Sequence, residues 1–172
     1  MRRVVGKLND GKTDDWIMPG FHVRNSETGQ SLVVVSMTVH RLVCSNGMVS
    51  TKDVGQVVTR RHIGRNPQVD VGDKIAAVMG SMETMFDQYA DSIGRSKETH
   101  YSDIAGAFKA AADRYSFTKA QRAQIDIAYA QEPGNTRHHI VQAITAAARD
   151  TNDWTNRLKL EGAASEVLMG GV

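Results

Sequence analysis

Basic side chains concentrated in the first 72 residues are the group in this sequence with the clearest chemical potential. Residues 1–72 carry ten Lys/Arg against six Asp/Glu, a balance of +4, whereas residues 73–172 carry eleven against thirteen, a balance of −2. Arginine binds phosphate through paired hydrogen bonds, so several arginines on one surface bind a polyanion in a salt-dependent, sequence-tolerant way. The distribution therefore predicts a surface for single-stranded nucleic acid, DNA in the first instance, in the first part of the chain.

The predicted phosphate ligands fall into a main and a supporting group. The main ligands are Arg41, Arg60, Arg61 and Arg65, and the supporting ones are Arg24, Lys52 and His62. Aromatic residues make up 6% of the chain, and Phe21 is the only one in the predicted core of the sheet, which favours backbone contact over base stacking. The alternative interpretation is a solvated basic strand edge that deters aggregation.

Catalysis by the single cysteine is the main enzymatic alternative. Cys44 would act as a nucleophile with His40 or His62 as its base. No glycine-rich oxyanion turn accompanies it in the sequence, and a lone cysteine at a strand end usually packs as a small hydrophobic residue. The sequence also contains no phosphate-binding loop and no kinase or hydrolase signature. We therefore expect a protein that is not an enzyme.

The histidines do not follow a metal-ligand spacing. They are His22, His40, His62, His100, His138 and His139. Ligands on a helix converge when they are four residues apart, whereas the adjacent His138 and His139 point to different sides of a helix, where they are either solvated or in contact with a neighbouring subunit. We expect no metal and no cofactor.

The stretch Ser31 to Met48 must position the basic side chains. Its odd-numbered positions are apolar from Val33 to Val39, which is the alternation of a half-buried strand. Asn46-Gly47 suits a tight hairpin turn, after which Met48 and Val49 would pair with Cys44 and Val43. Arg41 would fall on the apolar face, where it needs a bulge, a snorkelling path, a carboxylate or a phosphate.

Further strands are predicted on both sides of this hairpin. Residues 2–8 predict a short edge strand, and residues 9–15 a polar turn, with Pro19-Gly20 preceding the sheet proper. Phe21 to Arg24 is expected to pair with the long strand through a turn over residues 25–30. Residues 54–63 predict a further strand.

The second part of the chain is helical in pattern. The first helix begins near Asp73 and ends at Gly94, followed by a connector over residues 96–100 and a helix capped by Ser102. Thr118 and Gln121 form a capping-box pattern. A fourth helix covers residues 136–149, one or two short helices follow, and residues 170–172 are expected to fray. The pattern predicts one α+β domain over residues 1–172, with a basic β-rich part (1–72) covered by a long helix and several others (73–172).

Composition bounds the location of the protein. Apolar residues make up 41% of the chain and charged residues 23%, as in globular proteins. One cysteine suits a reducing compartment, and no stretch is long and apolar enough for a signal peptide or a membrane span. We therefore expect a cytoplasmic protein without membrane contact.

Two segments carry a family resemblance. Residues 40–48 (HRLVCSNGM), followed by residues 60–64 (RRHIG), resemble the phage/plasmid-like protein family, a domain of unknown function found on bacteriophages and mobile elements. The segment from Asn135 to Thr145, with Arg157, is similar to the closing helix of that family, although Gln142 replaces the usual asparagine. The resemblance implies a mobile-element setting and no catalytic residues.

A fold-level analogy extends this interpretation. A basic antiparallel sheet backed by a long helix is similar to the core of phage single-strand annealing proteins, which form rings or filaments. The leading hypothesis is therefore an oligomeric phage or plasmid protein of DNA metabolism that binds single-stranded DNA and promotes annealing. The alternative is a protein that contacts a host protein during infection through its helices or a sheet edge.

Overall fold

The structure is a computed structural model that describes residues 2–7, 14–24, 34–41, 47–49 and 67–172. These residues form four strands followed by five helices, and the predicted α+β class is confirmed, with helix as the larger part. The elements are β1 (Arg3–Lys7), β2 (Asp14–Arg24), β3 (Val34–Arg41), β4 (Gly47–Val49), α1 (Pro67–Glu98), α2 (Ile104–Arg114), α3 (Lys119–Gln131), α4 (Arg137–Arg149) and α5 (Trp154–Leu168). The predicted strand over residues 54–63 lies outside the described residues.

The four strands form one antiparallel sheet in the order β1-β2-β3-β4. Side chains alternate between its two faces. Asp15, Ile17 and Val39 are buried on the face that we call the inner face, with exposed fractions of 0%, 0% and 2%. Val4 and Met18, each 39% exposed, lie on the opposite face, which we call the outer face. Helix α1 contacts β1, β2 and β3.

The predicted hairpin exists, but its predicted register is wrong. In the structure, Met48 is opposite Val39 and Val49 is opposite Thr38, so Gly47 belongs to β4 and is opposite His40. The connection from β3 to β4 falls in residues 42–46, outside the described residues. Each observed partner lies five residues from the predicted one, with Val39 in place of Cys44 and Thr38 in place of Val43. The register of a hairpin follows from the length of its connection, which the Asn46-Gly47 pattern alone did not fix.

Strand β2 begins earlier than the sequence predicts. It starts at Asp14 and continues through Pro19 and Gly20, where a turn was expected. β1 pairs with β2 only as far as Arg3 opposite Ile17, whereas β3 continues past Pro19, which is opposite Val39. Proline is tolerated at position 19 because β1 no longer pairs with β2 there, so β1 has no carbonyl waiting for the N–H that proline lacks.

Helix α1 is longer at both ends than the pattern predicts. It begins at Pro67, a residue favoured at the first helical position, and it continues past Gly94 to Glu98. The expected end at Gly94 is therefore wrong, and so is the expected connector at residues 96–98. Ser96 is buried and Lys97 binds β2, so tertiary contacts extend the helix beyond its local stop signal.

Helices α2 to α4 begin at polar caps. Asp103, one residue after the predicted Ser102, accepts a hydrogen bond from the Gly106 N–H at 2.8 Å. The capping box of Thr118 and Gln121 is confirmed, with hydrogen bonds of 2.9 and 3.2 Å in the two directions. These caps satisfy N–H groups that lack a partner within the helix.

Helix α5 is a single helix of 15 residues in the centre of the helical layer. Its buried residues include three small ones in succession, Gly162, Ala163 and Ala164, and Leu160 is fully buried. It contacts α4, α1 and β4. Because residues 160–165 are buried without interruption, this part of α5 shows no amphipathic pattern, which is why the sequence indicated only short helices here.

The residues after α5 dock on the helices, so the expectation that they fray is wrong. The N–H of Gly171 donates to the Glu166 carbonyl at 2.8 Å, and Tyr101 Oη donates to the Val172 carbonyl at 3.1 Å. A Cβ on residue 171 would lie 2.5 Å from Tyr115 Oη, so glycine is required for this close approach.

Candidate nucleic-acid interface

The outer face of β1 and β2 combines an aromatic ring, a guanidinium group and exposed apolar side chains. Trp16 is opposite Val4 in the pairing of the two strands. The guanidinium carbon of Arg2 lies 5.0 Å from the centroid of the Trp16 ring. Met18 is 39% exposed beside them. We call Arg2, Val4, Trp16 and Met18 the outer-face cluster.

Alternate residues of the same strands bind α1 and thereby fix the outer-face cluster in place. Arg3 forms ion pairs with Asp87 at 2.8 Å and with Asp91 at 2.9 Å. Asp15 lies two residues from Ile17, the residue opposite Arg3, and accepts from Lys97 Nζ at 2.7 Å. Lys97 also donates to the Val5 carbonyl at 3.3 Å. The odd-numbered positions of β2 and of β1 before its register shift therefore attach the two strands to the helix, while the even-numbered positions there face away from it.

The cluster has the chemistry that single-stranded nucleic acid requires. The face of an indole ring stacks on any base, and a guanidinium group binds phosphate or stacks on the same ring. Asp14, the first residue of β2, lies opposite Lys7 and two residues before Trp16 on the same face. Its carboxylate repels a polyanion and so limits the site at the start of β2. The favourable surface therefore extends from Trp16 toward the other end of β2.

Two of the seven predicted phosphate ligands lie on described strands, and the pairing register separates them. Arg24 is opposite Val34 and has the same parity as Trp16, so its position is on the outer face. Arg41 is opposite Ile17, so its position is on the inner face. The register does not bring these two residues to one face. Lys52, Arg60, Arg61, His62 and Arg65 lie outside the described residues.

Sequence reasoning missed Trp16 and Arg2 as members of the site. The sequence predicts a polar turn and a Pro-Gly break before Phe21, which leaves Trp16 outside any strand. Without Trp16, the predicted sheet offers little surface for base stacking. A signal was present, because Ile17, Phe21 and Val23 continue one apolar phase through Pro19. That phase predicts that Trp16 and Met18 share the opposite face.

The helical histidines belong to the fold. His138 is buried, with 8% exposed, so the expectation of a solvated side chain is wrong for it. His139 Nδ1 lies 2.7 Å from Thr136 Oγ1 at the start of α4. Burial lowers the pKa of His139, the negative charge of Glu132 opposes this shift, and the charge of His100 adds to it. In the part of the chain that the structure describes, no group of three or more His, Cys, Asp or Glu side chains could hold a metal ion. Cys44 lies outside that part.

The described residues define an α+β protein whose antiparallel sheet has a long helix against one face and a mixed aromatic and basic surface on the other. The chain belongs to the DUF932 family, a domain of unknown function, whose family model matches residues 3–160. No curated protein and no solved structure matches the chain. Among the described helices, none is long and apolar enough to cross a membrane.

Proposed function

We propose that this protein binds single-stranded nucleic acid, with DNA as the preferred form, on the outer face of its sheet. The single observation that carries the proposal is the Arg2 guanidinium 5.0 Å from the Trp16 ring, on a face turned away from α1. A half-buried ring beside a cation offers a base one stacking partner and its phosphate one charged partner.

A single strand suits this surface better than a duplex. In a duplex the bases are stacked on one another, and only their edges are accessible in the grooves. A flat sheet face with an aromatic ring instead accepts bases that are already unstacked, as in other sheet-based modules that bind single strands. The apolar side chains of Val4 and Met18 border the ring and extend the contact with a base.

The length of β2 sets the extent of the site. Trp16 and Arg24 share the outer face and are eight residues apart, which is about 26 Å along a strand. Our proposal assigns phosphate binding to Arg2 and Arg24 within the described residues. Lys52, Arg60, Arg61, His62 and Arg65 are kept as proposed ligands, whereas the inner-face position of Arg41 argues against a direct phosphate contact.

The cellular setting is proposed from the sequence resemblance. The protein acts in the DNA metabolism of a phage or plasmid, where it assembles into a homo-oligomer in the cytoplasm of the host and promotes strand annealing. It needs no catalytic residue for this role, because annealing requires only that two complementary strands be held extended with their bases accessible.

Fluorescence anisotropy with a labelled oligothymidylate of about 20 nucleotides tests the binding proposal. Contact of Arg2 and Arg24 with two phosphates predicts that the affinity falls about 7-fold between 50 and 200 mM salt, and each further phosphate contact steepens this fall. A duplex of equal length serves as the competitor, and an oligouridylate separates DNA from RNA binding. Absence of an anisotropy change for every single strand at 50 mM salt would contradict the proposal.

A second candidate function rests on the apolar part of the same face. Val4 and Met18 are each 39% exposed and adjacent in register to Trp16, which is also the composition of a protein-binding surface. In this alternative the protein contacts a host protein during infection and binds no nucleic acid. Co-purification of one defined host protein that survives nuclease treatment, and that is lost in Met18→Glu, would favour it.

A further inference from the structure

A cleft between α2 and α3 encloses about 330 Å³. It shares no residue with the outer-face cluster. Its walls are mostly apolar. They include Ile104, Phe108, Ala111, Phe117, Ile125 and Tyr129. This volume is within the range of small-molecule sites, about 300–1,000 Å³, and it holds one ring system rather than the several side chains of a docked helix.

The walls of the cleft are held by contacts that do not depend on an occupant. The rings of Phe108 and Tyr129 meet edge to face with centroids 4.8 Å apart. Tyr129 Oη donates to the Gly134 carbonyl at 2.7 Å, which fixes the ring. Arg122 donates to the Phe117 carbonyl at 3.1 Å. The opening is therefore preformed, and binding does not have to order these side chains.

The charges around the cleft cancel. Arg122 is paired with Asp113 at 2.9 Å, and the remaining charged side chains on the lining are Lys109 on α2 and Asp126 on α3. Two positive and two negative groups give no net attraction for an ion, whereas three aromatic rings and buried alanines favour an apolar ring. We propose that this cleft is a binding site for a small, uncharged aromatic molecule.

The probe for this site is N-phenyl-1-naphthylamine, an uncharged amine that carries a naphthyl and a phenyl group and whose fluorescence rises in an apolar environment. The key variant is Ala105→Phe, because Ala105 is an exposed residue that lines the cleft and a phenyl group there fills its mouth. The matched control is Ala110→Phe, an exposed position on the same helix that does not line the cleft. Melting temperatures of both variants establish that they fold.

The wild type is expected to bind one probe molecule per chain, and Ala105→Phe to weaken that binding at least tenfold while Ala110→Phe leaves it unchanged. A charged analogue, 1-anilinonaphthalene-8-sulfonate, is expected to bind more weakly than the neutral probe. No fluorescence rise in the wild type, or equal binding by Ala105→Phe and the wild type, overturns the proposal. Because the cleft and the outer face share no residue, either result leaves the nucleic-acid proposal to its own test.

Discussion

The ammonium group of Lys97 on the last turn of α1 lies 2.7 Å from a carboxylate oxygen of Asp15 on β2, and the Asp15 side chain is fully buried. Loss of the Lys97 ammonium group takes this opposite charge away from a carboxylate in the interior. We expect Lys97→Met to lower the free energy of unfolding by about 3–5 kcal/mol in urea titrations. The double variant with Asp15→Asn is expected to recover part of this loss, because the carboxylate charge is removed from the interior as well.

Lys119→Met is the control for this prediction, because Lys119 is an exposed lysine at the start of α3. Its effect is expected to stay within about 0.5 kcal/mol. A loss below about 1 kcal/mol for Lys97→Met would mean that the ion pair does not hold β2 against α1.

Removal of the Trp16 ring tests the stacking part of the proposed interface. Base stacking on an aromatic side chain contributes about 1–3 kcal/mol per base, so Trp16→Ala is expected to weaken oligothymidylate binding about 5-fold to 150-fold. Trp154→Ala is the comparison, because Trp154 is a 40% exposed tryptophan at the start of α5, distant in sequence from the sheet. Equal affinities for Trp16→Ala and the wild type would exclude a stacking role.

The pairing register makes opposite predictions for two arginines. Arg24→Ala, on the outer face, is expected to weaken binding and to reduce the slope of log affinity against log salt by about 0.7, which corresponds to one phosphate of a single strand. Arg41→Ala, on the inner face, is expected to leave that slope unchanged. The two slopes are measured by anisotropy over the same salt series, and a reduced slope in Arg41→Ala would show that the register argument does not decide phosphate contact.

Arg60 and Arg61 remain predicted phosphate ligands outside the described residues. Their joint replacement by alanine is expected to reduce the same slope by up to about 1.4, since two phosphate contacts are lost. If the slope does not change, the basic residues of that segment do not face the nucleic acid.

His139 predicts a pH dependence of stability. Burial lowers its pKa in the folded state from the ordinary 6.5, so the unfolded chain binds a proton more readily. Its contribution to stability is fully present above about pH 6.5 and is lost as the pH falls from there toward the lowered pKa. A proton on Nδ1 also removes the acceptor for the Thr136 N–H, a contact of 3.4 Å that helps to cap α4.

The measurement for His139 is the urea midpoint between about pH 5 and 8, compared with that of His139→Gln. The wild type is expected to lose more stability than the variant below about pH 6.5. His100→Gln, at an exposed neighbour, is expected to retain the wild-type profile with a small upward shift in midpoint at low pH, since one opposing charge is removed. Parallel profiles for the wild type and His139→Gln would contradict the assignment.

Local signals in this sequence predicted the parts of the fold that local physics decides. The box of Thr118 and Gln121 was predictable because the two residues satisfy each other's backbone within four positions. The end of α1 was not, because the residues after Gly94 are held in the helix by Lys97 and its partner 82 residues away in sequence. The register of Met48 was not predictable either, because it depends on the length of the connection between β3 and β4.

For the candidate site, the sequence predicted the face of Arg41 but not the aromatic residue. The alternation placed Arg41 with Val39 on the apolar face, and the register places it on the inner face. Trp16 was missed because Pro19 and the preceding acidic residues were weighed as turn signals. Pairing with β3, a long-range contact, overrides those signals.

The attachment of the first two strands to the far end of α1 has a consequence for synthesis on the ribosome. Asp15 precedes Lys97 by 82 residues, so at about 5–20 residues per second the acid is made about 4–16 s before its base. During that interval the nascent strands carry an apolar face and a carboxylate that no helix yet covers. The beginning of this chain therefore completes its packing only after the last turn of α1 has been synthesised.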